Sequence, residues 1–136
     1  MAPIYLASPY SVKQKVSENQ AAIIRKRRFE KVCRYAAKLM KEGEMVFCPI
    51  AHSHPIEVIG MPGEVNDGDF WLKQDFAVLQ FCKELRVLMM DGWEESTGVA
   101  REIEFAHQLN IPVSYVEDLS DKRNIKPRAT EERLAA

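Results

Sequence analysis

Apolar and polar positions fall into blocks along this chain, and the period changes from block to block. Residues 3–7 (Pro-Ile-Tyr-Leu-Ala) form an apolar run of strand length, with Tyr5 and Ala7 on one face and Ile4 and Leu6 on the other. Ser17-Glu18-Asn19-Gln20 fits a capping box. Beyond it Phe29, Val32, Cys33, Ala36, Ala37 and Met40 keep helical spacing to about Glu42, and Gly43 is a stop signal. Residues 11–16 fit either an earlier turn of this helix or a loop. A second strand is expected over 44–50, then a long connection over 51–68. Residues 69–82 read as a helix, 85–90 as a buried strand, 96–109 as a helix with Asn110 at its C-cap, and 111–116 as a fourth strand. Residues 117–136 are a polar tail with a short helical pattern at 130–134.

Strands and helices therefore alternate, which predicts a parallel sheet covered on both faces with right-handed crossovers. The expected fold is a three-layer, doubly wound, flavodoxin- or Rossmann-like α/β domain over 1–116. It has four to five strands in the order 2-1-3-4(-5). In such a sheet ligands bind beyond the carboxyl ends of the strands, where the order reverses. Here that point lies between the first and third strands, at the segments 8–11 and 91–98.

Two acids interrupt the apolar stripes. Glu102 shares its side of the helix with Val99, Phe105, Ala106 and Leu109, whereas Glu104 points the other way. Asp75 lies among Trp71, Leu72, Val78, Leu79 and Cys82. A carboxylate inside such a stripe is costly unless it is paired, protonated or facing a cleft. One such acid is easily structural; two, on helices flanking one strand, suggest paired carboxyls facing a common crevice. Ser96 caps the second of these helices, and a strand, a turn and a helix N-terminus make a ready anion site.

Other residues have a bland reading beside the chemical one. Ser8 and Ser11 bond a ligand or cap a helix. Arg25-Lys26-Arg27-Arg28 covers every side of a helix, so it reads as a solvated run with one or two members paired to acids. His52 and His54 flank Ser53 without an acid or cysteine at ligand spacing, so no metal is expected. His54 then bonds a ligand from a lid or belongs to a plain surface loop. Trp93 stacks on a ligand ring or packs in the core.

Composition narrows the classes. The chain has 136 residues, 46% hydrophobic and 29% charged, which is ordinary for one soluble domain. A net charge of -1 offers nothing global to nucleic acid or to an anionic membrane. Cys33, Cys48 and Cys82 are odd in number and set in apolar context, as in a reducing compartment. With no signal-peptide plan and no apolar run of spanning length, a cytoplasmic location is expected.

Three segments together resemble the nucleoside 2-deoxyribosyltransferase superfamily. They are Ile4-Tyr5-Leu6-Ala7-Ser8-Pro9-Tyr10, the Asp75 helix, and Ser96-Thr97-Gly98-Val99-Ala100-Arg101-Glu102-Ile103-Glu104-Phe105-Ala106. The His-Ser-His-Pro and Asp-Gly-Trp segments are most similar to a small bacterial and phage group within it. The resemblance implies that Glu102 attacks the anomeric carbon of a nucleoside sugar, that Tyr5 orients Glu102, and that Asp75 serves the departing base. It places Ser8, Ser96 and Gly98 near the sugar or its 5′ substituent. It implies hydrolysis of a nucleoside 5′-monophosphate or transfer of the deoxyribosyl group, without cofactor or metal, by a homodimer or higher homo-oligomer. One departure stands out: Ser8-Pro9-Tyr10 replaces a glycine-containing loop, and Pro9 has no N–H to offer a phosphate.

On this chemistry Glu102 must be ionised, while Asp75 is expected to be the more proton-retaining acid. The alternatives are a nucleotide or nucleotide-sugar sensor that breaks no bond, and an interaction protein with Glu102 in a buried ion pair.

Overall fold

A computed structural model describes residues 1–64 and 68–119; the 130–134 helical pattern lies outside the described residues. Four strands form one parallel sheet: β1 (Ile4–Ala7), β2 (Val46–Phe47), β3 (Glu84–Met89) and β4 (Val113–Glu117). Their order is β2-β1-β3-β4, the doubly wound order expected. Tyr5 aligns with Phe47 on one side and Leu85 on the other, and Val87 with Ala7 and Tyr115. β1 is buried along its whole length, as the central position requires.

The pleat divides β1 between two cores. Leu6 packs with Val32, Ala36, Cys48, Leu88, Met90 and Val116 beneath α1 (Glu18–Lys41) and α2 (Pro49–Pro55). Tyr5 and Ala7 belong to the opposite face, with Leu79, Leu85, Val87, Val99 and Ala106 under α3 (Gly68–Leu79) and α4 (Thr97–Gln108). Full burial of one such aliphatic side chain is worth about 1.5–3 kcal/mol.

The capping box forms as expected: Gln20 N–H donates to Ser17 Oγ at 3.1 Å, and Ser17 N–H to Gln20 Oε1 at 3.3 Å. Gly43, at φ 97°, follows the last turn of α1. Residues 11–16 are not helical.

Three expectations are corrected. The buried stripe of α1 runs through Ala21, Arg28, Val32, Ala36 and Leu39, so Met40 and Ala37 face outward. Leu109 is likewise exposed, because α4 ends at Gln108 and Leu109 is its C-cap. Strand β2 is only two residues long, and the connection after it is mostly helical. Cys48 is extended and Pro49 opens α2, since a proline at the first helical position lacks only an N–H that has no helical partner. A π-helical turn, Ile56–Gly60, continues from it.

Candidate active site

Glu102 and Asp75 arrive from the two helices on one face of the sheet. Ser96 starts α4, its Oγ accepting from Val99 N–H at 3.2 Å, and one and a half turns later Glu102 faces the sheet between Val99 and Ala106. Asp75 occupies the matching place on α3, between Leu72 and Leu79. The rings of Phe76 and Phe105 lie parallel with centroids 4.2 Å apart, locking α3 on α4 beside the acids. An ion pair between Arg101 and Asp69 joins the same helices nearer their N-termini.

Tyr5 rises from β1 beneath them and donates its hydroxyl to Glu102 Oε2. Tyr5 is fully buried, and Glu102 and Asp75 are only 5% and 8% exposed. The acids thus share a closed, water-poor place rather than an open crevice. Among the described residues, no Lys, Arg or His forms an ion pair with either acid.

Burial dominates the electrostatics. It pushes Glu102 up to about 8, with the Tyr5 hydrogen bond opposing the rise and the Asp75 charge adding to it. Burial pushes Asp75 up to about 7. Tyr5 is driven well above its usual value by burial, then by the Glu102 and Asp75 charges, so it remains a donor. Both acids are thus held above the usual carboxylate range.

The remaining sequence candidates separate. Ser8 is buried at the end of β1, and its Oγ has no hydrogen-bond partner among the described residues. Gly98 lies in the first turn of α4, where an added Cβ meets only Ser96 Oγ at 3.8 Å. Trp93 packs against the core, its ring 5.7 Å from that of Tyr115. His54 is tied to the scaffold: Nδ1 lies 2.6 Å from the Tyr10 hydroxyl and the ring stacks on Phe29 at 4.3 Å. Burial lowers its pKa, so this imidazole is neutral near pH 7. His52, two residues back, instead approaches Phe47, with centroids 5.9 Å apart.

Arg28 is the residue that the sequence reading missed. It is 7% exposed, and its guanidinium donates to the carbonyls of Tyr10 (3.2 Å), Ser11 (2.8 Å) and Asp91 (3.3 Å). These carbonyls belong to the loops leaving β1 and β3, so Arg28 closes the switch point of the sheet. Gly92, at φ 93°, packs against it so closely that a Cβ there would collide with Nη2. The signal was available in helical phase: Arg28 precedes Val32 by four residues and Ala36 by eight. Of its neighbours, Arg25 behaves as expected and pairs with Glu18 at 2.5 Å.

The parallel sheet of order β2-β1-β3-β4 with helices on both faces makes this an α/β protein of nucleoside 2-deoxyribosyltransferase-like fold. The solved structure of a 2-deoxyribosyltransferase from the psychrotolerant bacterium Bacillus psychrosaccharolyticus matches it with a TM-score of 0.54. The two are 21% identical, over 97% of this chain and 82% of that one. The chain belongs to the family described as Domain of unknown function (DUF1937), whose model matches residues 2–118. No curated protein matches it in sequence.

Proposed function

We propose that this protein cleaves the N-glycosidic bond of a nucleoside or nucleoside 5′-monophosphate through a covalent intermediate on Glu102. The observation that carries this reading is the Tyr5 hydroxyl held on Glu102, an acid without a basic partner among the described residues, with Asp75 close enough to raise its pKa. A structural acid at that depth is matched by a cation or kept protonated; Glu102 is instead oriented by a hydroxyl and coupled to a second acid. The bond to Tyr5 fixes the carboxylate's direction and stabilises its charged form.

In the proposed reaction Glu102 attacks C1′ of the sugar as the C–N bond breaks. The bonding pair leaves with the base, and the Asp75 proton passes to it. Water or a second base then takes the sugar from Glu102, with Asp75 removing the incoming proton. The reactive form has one proton on the pair, on Asp75. A sugar cation developing beside Glu102 favours that form. Since both acids are covered, substrate entry displaces side chains above them. The solved 2-deoxyribosyltransferase supports the reading at the level of the fold.

The test is incubation with a panel of nucleosides and 5′-monophosphates, read by chromatography for free base. Base release supports cleavage. Saturable binding of a nucleotide with no base release supports the sensor reading instead.

A further inference from the structure

A second polar feature lies at the switch point, outside the acid pair. A cavity of about 170 Å³ is lined by Ser11, Lys13, Gln14, Arg28, Gly92 and Glu95. On that measure one water needs about 10–15 Å³, so the cavity admits several. Neither Glu102 nor Asp75 lines it.

Its charge is unusual. Arg28 is a buried cation whose three hydrogen bonds all go to neutral carbonyls. Lys13 donates to a neutral hydroxyl, Thr97 Oγ1, at 3.3 Å. Among the described residues no carboxylate lies within ion-pair distance of either. A guanidinium has five N–H donors, so three bonds leave two unspent. The carboxylates of Asp91 and Glu95 act on Arg28 only from beyond ion-pair distance, and an anion in the cavity would give the buried guanidinium the direct charged contact it lacks among the described residues. The loop after β1 turns the carbonyls of Tyr10 and Ser11 toward Arg28, and Pro9 has no N–H. Side-chain cations therefore stand where a glycine loop would offer backbone N–H groups.

Position links this cavity to the acids. Lys13 reaches Thr97, the first residue of α4, and Glu102 lies five residues further on. At about 1.5 Å per residue that is roughly 7–8 Å along the helix, a span that a sugar phosphate bridges.

We infer that the cavity walled by Arg28 and Lys13 is a phosphate subsite, and that the substrate carries the phosphate, as a nucleoside 5′-monophosphate rather than a free nucleoside. The second half of this statement rests on the glycosidic reading above; the first does not. Glu95 on the cavity wall opposes the anion and limits its affinity.

The experiment has a binding arm and a kinetic arm. In the first, inorganic phosphate is titrated into the whole protein by calorimetry at constant ionic strength, with chloride as control. Lys13→Ala and Glu95→Gln are the variants, since both residues are exposed and neither holds the fold. The expected result is saturable phosphate binding, about tenfold weaker in Lys13→Ala and severalfold tighter in Glu95→Gln. No binding to the wild type, or unchanged affinity in both variants, overturns the subsite. In the second arm kcat/KM is compared for a nucleoside and its 5′-monophosphate. The monophosphate is expected to be preferred, Lys13→Ala to cut that preference about tenfold, and inorganic phosphate to compete with the monophosphate. Non-competitive phosphate would make the site a regulatory one and overturn the substrate assignment. Phosphate binding that Lys13→Ala weakens, without base release from any substrate, upholds the subsite and overturns the cleavage. Base release without phosphate binding does the opposite.

Discussion

Tyr5 and Glu102 stand 97 residues apart in the chain, yet the hydroxyl of one is held on the carboxyl of the other in the interior of the molecule. The contact needs the whole fold: a central strand to bury Tyr5, and a helix capped at Ser96 and phased to turn Glu102 inward. A buried hydrogen bond to a charged group contributes about 1.5–3 kcal/mol.

Tyr5→Phe removes that bond while keeping the ring in the core. Turnover is expected to fall about 10- to 100-fold, since about 1.4 kcal/mol is a factor of ten. The hydroxyl lowers the pKa of Glu102, so the acidic limb of the rate profile should move to higher pH in the variant. Steady-state kinetics across pH 5–10 check both; an unmoved limb would mean that Tyr5 does not act on the ionising group.

The pH dependence of kcat/KM should be a bell with its limbs near the two values of the acid pair, about 7 and about 8. Only the singly protonated pair carries the proposed reaction, whichever acid holds the proton in the empty site. Asp75→Asn should lower kcat by about 10²–10⁴ and abolish the alkaline limb. Substrates whose bases leave without a proton should lose much less. A bell that survives intact in Asp75→Asn would remove Asp75 from the reaction.

Stability should follow the same groups. Both acids have folded values above their ordinary 4.5 and 3.8, so the folded protein binds more protons than the unfolded chain across that gap. Their contribution is fully present below about pH 4 and is lost as pH rises through about 7 to 8. Urea unfolding from pH 5 to pH 9 should show falling stability, and Glu102→Gln, whose amide carries no charge, should flatten the slope. A slope equal to that of the wild type would contradict the burial of this carboxyl.

Gly92→Ala should destabilise the protein by about 1–3 kcal/mol, because the position has φ 93° and a methyl group there meets the Arg28 guanidinium. Chemical denaturation measures it. A change within about 0.5 kcal/mol would show that Arg28 does not fasten the two loops.

Much of this architecture is legible in the sequence because it rests on period. The change between runs of strand length and helical spacing gives the parallel sheet, and the order β2-β1-β3-β4 follows. Helical phase places Asp75 and Glu102 inward, and both are buried. Period fails where a local rule competes with it. Pro49 falls within the strand expected over 44–50 and Pro55 within the connection expected over 51–68, yet Pro49 opens α2 and Pro55 ends it. The run 25–28 reads as solvated because charge outweighs phase in such a stretch, and Arg28 is the member that turns in to bind carbonyls. The rise of both acids above the usual carboxylate range is not legible at all, because it comes from burial, and spacing along one helix says nothing of what covers it. Of the residues offered as ligand contacts, Trp93 and His54 have partners within the protein, whereas the Ser8 hydroxyl has none among the described residues.

The most direct test is a parallel measurement of free base released from nucleosides and 5′-monophosphates by the wild-type protein and by Glu102→Ala, with circular dichroism and a melting curve for each. The account predicts base release by the wild type and none by a folded Glu102→Ala. Unimpaired release by the folded variant would contradict it.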